Sequence, residues 1–241
     1  MEGAQYTQYT NISAPLSAIH ALLERGDDEW FVSQARTETN WLMDIFGLAK
    51  GKKFLEIGPG WGRMLLAAKL LGMEPTGYEL STPNCELGKK LGLDMRNEDF
   101  CNSEVISEYD NIYLSHSLEH TQNPKKLLSL LYHYCAQDGN MFIAVPNFNS
   151  WWHECLGEKW PWLSPKDHLI HFTPKTLQMM IKNAGFNIKK CTTCMSYDPD
   201  FDNYKLVKEK FGYNDSHTII KKLKQLEREG KGESIWIYAK K

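Results

Sequence analysis

Three alternating glycines follow an apolar run and could hold a ligand against the main chain. The segment 54–62 reads F-L-E-I-G-P-G-W-G, and a helical pattern follows it. Glycines at such a turn let the backbone bend sharply and let a ligand approach the main chain closely. A dinucleotide fingerprint would have its third glycine where this chain has Arg63. The spacing G-x-G-x-G therefore favours a nucleotide-like ligand that is not a dinucleotide.

Two acidic residues accompany this turn. Glu56 precedes the first glycine, and Glu79 ends the next apolar run. A carboxylate at Glu56 would repel a pyrophosphate but can hold a cationic amino group, directly or through water. Glu79 follows at about the separation at which ribose hydroxyls are held in such folds. Together they predict a positively charged nucleoside as the ligand.

Four histidines fall in segments that we expect to face a second substrate: His116, His120, His168 and His171. An imidazole with its ordinary pKa of about 6.5 is suited to remove a proton from a hydroxyl group. Each of them could instead be a structural histidine that is hydrogen-bonded within a loop. As a set, they predict an acceptor site with a general base.

No compact ligand motif requires a metal ion, so we expect none. An alternative stays open, in which His116, Glu119 and His120 meet the later histidines around a divalent metal that polarises a catechol or diol. In the plainer interpretation, Glu119 and His120 only close the ligand pocket.

Short apolar runs alternate with helical patterns from Lys52 onward, which predicts an α/β sheet with helices on both faces. Strands are predicted at 53–57, 75–80, 94–98, 111–115, 141–145, 186–195 and 234–239. Helices are predicted at 61–71, 83–91, 124–139, 174–185 and 219–229. Thr82 is the expected N-cap of the second helix, and Gly139 the expected end of the third. Cys191 and Cys194 form a C-x-x-C that we interpret as two ordinary strand residues.

The chain divides into two parts. Residues 1–50 form a predicted N-terminal helical cap, with a helical pattern over 13–47 and with Tyr6 and Tyr9 in an expected flap. Residues 51–241 form the main domain, with a helical insertion at about 200–232. A tryptophan-rich loop is expected at about 147–172, with Trp151, Trp152, Trp160 and Trp162. Its aromatic faces could bind a sugar or ring acceptor, or they could plug the core.

These motifs, in this order, resemble the class I S-adenosylmethionine-dependent methyltransferases, whose first motif is an acid followed by G-x-G-x-G. The resemblance covers about residues 50–190. Leu118-Glu119-His120, followed by Asn123-Pro124 and a helix, is similar to the branch containing ubiquinone-biosynthesis O-methyltransferases. The segment 168–177 with Ala184-Gly185-Phe186 resembles a C-terminal pattern of that branch. The resemblance implies a Rossmann-like α/β fold: a seven-stranded, mostly parallel sheet with one antiparallel strand, and helices on both faces.

The resemblance also implies S-adenosylmethionine as cofactor and assigns roles to residues. Glu79 would bind the ribose hydroxyls, Leu80 would lie against adenine, and Asp99 would read the adenine amino group. The expected cofactor site is Glu56, Gly58, Gly60, Gly62, Glu79, Leu80, Asp99, Phe100 and Ser115. His116 or His120 is the expected base, and His168 and His171 would shape the acceptor site.

Charge and composition limit the partners. The chain has 28 Lys and Arg against 30 Asp and Glu, a net charge of −2, which disfavours nucleic acid. The apolar stretch at 64–73 is too short to cross a membrane, and no secretory signal is readable, so we expect a cytoplasmic protein. The expected reaction is O-methylation of a small molecule or saccharide. Three alternatives remain: a protein or RNA acceptor, a noncatalytic S-adenosylmethionine-binding protein, and a nicotinamide oxidoreductase, which the glycine spacing and Glu56 disfavour.

Overall fold

The computed structural model describes residues 28–104 and 107–241. Its first helix, α1, spans Asp28–Phe46 and so covers the later part of the predicted helical cap. The rest of that cap, with Tyr6 and Tyr9, lies outside the described residues. Among the described helices, none has both the length and the apolar character that crossing a membrane requires.

Seven strands form one sheet in the order β3-β2-β1-β4-β5-β7-β6. They are β1 (Lys53–Ile57), β2 (Glu74–Tyr78), β3 (Asp94–Arg96), β4 (Tyr109–Ser115), β5 (Cys135–Pro146), β6 (Asn187–Cys194) and β7 (Ser234–Lys240). Only β7 is antiparallel, and it pairs with both β5 and β6. The predicted fold class is confirmed, and Cys191 and Cys194 lie within β6 as predicted.

Helices cover both faces of this sheet. They are α2 (Arg63–Leu70), α3 (Thr82–Lys90), α4 (Pro124–Tyr134), α5 (Trp151–Leu156), α6 (Pro174–Asn183), α7 (Asp202–Phe211) and α8 (Ser216–Arg228). Side chains alternate between the faces of a strand. In β1, Leu55 therefore packs in the core formed with α4 and α6, while Phe54 packs in the core formed with α1, α2 and α3. Helices α7 and α8 lie between β6 and β7 in the chain and pack in a smaller cluster of their own.

The third predicted helix ends earlier than its sequence pattern indicates. Helix α4 stops at Tyr134 and not at Gly139, because sheet pairing begins at Cys135, which lies opposite Tyr109 of β4. Asp138 has a positive φ of 63°, whereas Gly139 does not. The expectation of a helix end at Gly139 was wrong because strand pairing decided the boundary.

Two further local expectations also need correction. Ser81, not Thr82, caps α3, and its hydroxyl accepts a hydrogen bond from the backbone N–H of Asn84 at 3.5 Å. Thr82 is instead the first residue of the helix, and its hydroxyl donates to Asn97. The tryptophan-rich segment, predicted to be a loop, contains α5, which begins after a Ser150 cap. A serine followed by a short apolar turn is a helix start that the loop interpretation overlooked.

Candidate cofactor and acceptor site

A cleft of about 650 Å³ opens at the carboxyl ends of the first four strands. The chain order of the sheet reverses between β1 and β4, which is where open α/β sheets bind ligands. Of the residues predicted for the site, those that line this cleft are Gly58, Glu79, Leu80, Asp99, Phe100, His116 and His120. The structure therefore brings predicted cofactor residues and predicted acceptor residues to one cavity.

The glycine turn depends on left-handed backbone conformations. Gly58, Gly60 and Gly62 have φ values of 70°, 57° and 95°. At Gly58 a Cβ atom would lie 2.5 Å from Ser117 Oγ, whereas at Gly60 it would meet nothing within 4 Å. Only glycine lets the chain turn this close to the exit of β4.

Glu79 links the glycine turn to the start of helix α3 through two hydrogen bonds. Its Oε2 accepts a hydrogen bond from Gly60 N at 2.9 Å, and its Oε1 accepts one from Ser81 N at 2.7 Å. These two bonds hold the carboxylate at the cleft wall. Its remaining lone pairs can accept hydrogen bonds from a ligand.

Glu56 lies beside the cleft and not on its lining. The side chain is 5% exposed, and burial raises its pKa to about 8, an effect opposed by the nearby Arg63 guanidinium. Within the described residues, its Oε2 has no hydrogen-bond partner. Arg63 also approaches Glu38 of α1 at 3.3 Å, so the start of α2 lies between two carboxylates.

Another part of the cleft wall follows β3. Asp99 caps a short 3₁₀ helix at Phe100–Asn102, where its Oδ1 accepts a hydrogen bond from Cys101 N at 2.9 Å. The ring of Phe100 is buried edge-on against Tyr78 at 4.9 Å. Leu80 is 71% exposed on the cleft lining. The exposed Leu80 side chain can contact the flat face of a nucleotide base. The Asp99 carboxylate on the same lining can bind the polar edge of that base.

His116 leaves the sheet in a conformation that few non-glycine residues adopt. Its φ is 52°, although its N–H still bonds to Ala144 O at 2.9 Å beyond the end of β4. Its ring meets the ring of Trp162 edge-on at 5.3 Å, and its Nδ1 lies 3.4 Å from Glu119 Oε1. Backbone strain of this kind collects at functional sites.

The segment 162–170 is hydrogen-bonded to the turn that follows β4. Backbone N–H groups of Leu169 and Ile170 donate to Glu119 O at 2.9 and 3.3 Å. His120 Nδ1 donates to Asp167 O at 2.7 Å, and the two parts of the chain are thereby held together. We use the name clasp for this contact between residues 116–120 and 162–170.

The clasp brings His120 and His168 together, whereas His171 packs elsewhere. His120 and His168 have ring centroids 4.8 Å apart. His171 packs instead against Phe148 and Trp160, at 5.3 and 6.0 Å. Burial, together with the neighbouring His168, lowers the pKa of His171. Neither His168 nor His171 is on the cleft lining.

The tryptophans divide between the two roles considered for them. Trp152 and Trp160 are buried, whereas Trp162 reaches the His116 ring. Trp151 stacks on Phe211 of α7. The segment therefore acts mostly as core, with one aromatic side chain, Trp162, beside His116.

Sequence reasoning missed several residues that define this cleft. Ser117 fits against Gly58, Lys126 lies on the lining, and the main-chain carbonyl of Asp167 orients His120. No local pattern distinguishes a serine, a lysine or a carbonyl group in these positions. Ser115, which ends β4, is half-buried and lies next to the lining.

The sheet order and the glycine turn after β1 define the Rossmann-like fold of the class I S-adenosylmethionine-dependent methyltransferases. A crystal structure of a SAM-dependent methyltransferase from Archaeoglobus fulgidus shares this fold with a TM-score of 0.62 at 20% identity, over 86% of this chain and 94% of that one. The family described as "Methyltransferase domain" matches residues 33–190, which is more than half of the chain. The chain belongs to this family.

Two relatives at the sequence level carry the same name. The ubiquinone biosynthesis O-methyltransferase of Photobacterium profundum is 27% identical over 183 residues, covering 70% of this chain and 77% of the relative. That of Pseudomonas savastanoi pv. phaseolicola is 25% identical over 185 residues, covering 70% of this chain and 78% of the relative. Family membership confirms the predicted enzyme class, a methyltransferase.

Proposed function

We propose that this methyltransferase transfers a methyl group from S-adenosylmethionine to an oxygen atom of a small molecule or saccharide. The observation that carries the proposal is the single cleft whose lining includes Gly58, Glu79, Asp99 and His116. A cofactor and an acceptor could meet in such a cavity. The name of the two relatives, O-methyltransferases of a biosynthetic pathway, supports oxygen as the methylated atom.

The residues present fit S-adenosylmethionine. The left-handed turn at Gly58 leaves the main chain open to close approach, and Glu79 offers a fixed carboxylate for ribose hydroxyls. Leu80 and Asp99 suit the face and the amino group of adenine. The buried Glu56 Oε2, which has no partner among the described residues, could accept a hydrogen bond from the cationic amino group, whose charge would lower the raised pKa of this carboxyl group. Gly60, Gly62, Phe100 and Ser115 would support these contacts.

When bound, S-adenosylmethionine supplies a sulfonium methyl group: the acceptor oxygen forms a bond to the methyl carbon as the carbon–sulfur bond breaks, and sulfur keeps that electron pair. The protein's main task is to align the two groups. We assign the base to His116, which takes the hydroxyl proton. Glu119, 3.4 Å from His116 Nδ1, is placed to orient the ring. The proposed acceptor-side roles of His120, His168 and His171 are to shape this wall.

The test is calorimetric titration of the full chain with S-adenosylmethionine, its demethylated product and NADH in separate runs. We expect stoichiometric binding of the first two and no binding of NADH. Assays of hydroxylated small molecules, nucleotide sugars included, should then give a product with one added methyl group, detected by mass spectrometry. Binding of NADH alone would overturn the cofactor assignment. Binding without turnover of any small molecule would favour a noncatalytic role or a protein or RNA acceptor.

The predicted cytoplasmic location stays a prediction.

A further inference from the structure

We propose that Glu119, His120 and His168 form a binding site for a divalent transition-metal ion such as Zn²⁺ or Co²⁺. The site rests on these three side chains, and its role in catalysis rests on the function proposed above. Among the described residues, this is the group whose geometry suits a metal ion: one ligand atom from each residue lies within 4.8 Å of the other two.

Glu119 supplies the first argument. The residue is 1% exposed, and neither of its carboxylate oxygens has a hydrogen-bond partner among the described residues. A buried carboxylate without a donor is costly, because the folded chain does not replace its lost hydration. A cation held beside this group would remove that cost.

The two histidines supply the second argument. His120 Nδ1 lies 2.7 Å from Asp167 O, and His168 Nδ1 lies 2.7 Å from Trp162 O. A carbonyl oxygen can only accept, so both Nδ1 atoms carry the proton. In the neutral rings Nε2 is then a lone-pair acceptor. Hydrogen bonding of one ring nitrogen to a backbone carbonyl is also the arrangement that orients metal-bound histidines.

The Glu119 carboxylate and the two Nε2 atoms are therefore three acceptors that converge, with His116 Nδ1 as the neighbouring donor. His120 Nε2 lies 4.0 Å from Glu119 Oε1, a separation at which two acceptors repel each other. A metal ion would turn this repulsion into ligation. The competing account is a protonated His120 or His116 paired with Glu119, since His116 Nδ1 lies 3.4 Å from the same oxygen.

The ligand set indicates the class of metal. Two imidazoles and one carboxylate suit Zn²⁺, Co²⁺ and related ions better than Mg²⁺ or Ca²⁺, which prefer oxygen ligands. Three protein ligands leave coordination positions for other groups, as in catalytic zinc sites. His120 also lines the cleft, so a metal here would lie at its wall. We therefore expect acceptors with two neighbouring oxygen atoms, such as a catechol or a vicinal diol, and His116 remains the base.

The test is titration of the chelator-treated full chain with Co²⁺, followed by visible absorption, and then displacement by Zn²⁺. We expect one Co²⁺ per chain with absorption bands typical of nitrogen ligation. Glu119→Gln and His168→Ala should each weaken binding by on the order of 100-fold. His153→Ala is the matched control, because His153 Nδ1 also donates to a carbonyl, that of Phe148 at 2.6 Å, but lies outside the cluster. This control should bind Co²⁺ like the wild type.

Circular dichroism decides whether each variant is folded, and His168→Asn replaces His168→Ala if the latter is not. Absence of Co²⁺ and Zn²⁺ binding by the wild type, or equal binding by the wild type and a folded His168 variant, would overturn the proposal. S-adenosylmethionine binding is measured on the same chelator-treated sample. If the cofactor binds and the metal does not, only the metal site fails. If the metal binds and the cofactor does not, only the proposed function fails.

Discussion

His116 combines an unusual backbone conformation with a side chain in the cleft. Its left-handed conformation, φ 52°, turns the chain out of β4 while its ring reaches Trp162. A residue without a favoured left-handed state costs about 1–2 kcal/mol there. Asparagine tolerates this conformation better than most residues and has no imidazole. Replacing His116 with asparagine therefore removes the imidazole without adding backbone strain.

The first prediction is that His116→Asn lowers turnover by about 10²–10⁴-fold, the range for loss of a general base. Binding of S-adenosylmethionine and the melting temperature should stay close to wild-type values, since the turn is kept. Steady-state kinetics, calorimetry and thermal unfolding check the three parts. Normal turnover would remove His116 from its proposed role.

The second prediction concerns Glu56 and pH. Burial raises its pKa from 4.5 to about 8, so the folded state holds this proton more tightly than the unfolded chain. The contribution of Glu56 to the free energy of unfolding is therefore most favourable at low pH and is lost as the pH rises from 4.5 to about 8. Glu56→Gln should make the fall in stability over this range shallower, by on the order of a few kcal/mol.

Urea unfolding at several pH values measures this difference. Glu74→Gln, at an exposed residue of β2, is the matched control and should keep the wild-type slope. An unchanged slope in Glu56→Gln would show that the carboxyl group is solvated or paired in the folded protein.

At the scale of elements, two turns decide the site. The turn between β1 and α2 carries the three glycines, and the exit of β4 carries Ser117 and the clasp. The two turns touch at one point, where a Cβ on Gly58 would meet Ser117 Oγ at 2.5 Å. The glycine is therefore needed for packing between neighbouring strands as well as for its positive φ.

The third prediction compares two glycines of one turn. Gly58→Ala and Gly60→Ala both place alanine at positive φ, but only the first also meets Ser117. Gly58→Ala should therefore lower the melting temperature more, by about 2–4 °C for each additional kcal/mol. Differential scanning calorimetry of the two variants makes the comparison. Restoring stability with the double variant Gly58→Ala, Ser117→Gly would confirm the contact, and equal losses in the two single variants would contradict it.

At the scale of the whole molecule, the sheet order brings distant segments to one cleft. Because β4 lies beside β1, the glycine turn and the pair His116 and His120 are neighbours although about 60 residues separate them along the chain. Helix α1 adds Glu38 beside Arg63, so the cap also contacts the start of α2. Because these distant segments meet at the cleft, a ligand bound in the cleft should stabilise the entire domain.

The fourth prediction is that the demethylated product of S-adenosylmethionine, at a concentration about 100 times its Kd, stabilises the folded chain by about 2.7 kcal/mol. For a chain of this size, that corresponds to a rise in melting temperature of about 5–10 °C. Glu79→Ala should lose the effect, because the carboxylate fixed by Gly60 and Ser81 is absent. NADH is the control ligand. A ligand-induced shift that survives in Glu79→Ala would contradict the role of Glu79.

Much of the fold was predictable from local patterns. The runs at 111–115 and 141–145 became strands because strands buried on both faces need largely apolar sequence, and Pro124 and Pro174 marked helix starts correctly. The error at Gly139 arose because pairing with β4 overrode the local signal, whereas α5 was missed although its Ser150 cap is a local signal. Of the residues that line the cleft, Gly58 was predicted because the turn requires glycine, and Leu80 and Asp99 were predicted from the family resemblance.

The sequence by itself determined the alternation of elements, the glycine turn, the acid at Glu79 and the presence of four histidines in two segments. Those features depend on local conformation and on residue chemistry, which short stretches of the chain determine. Only the tertiary structure decided that His168 joins Glu119 and His120, that His171 turns away, and that Glu56 lies beside the cleft. These outcomes depend on hydrogen bonds and packing between segments about 50 residues apart, such as the bond from His120 to Asp167 O. These segments lie close together in space because of the order of the strands, and no motif along the chain indicates it.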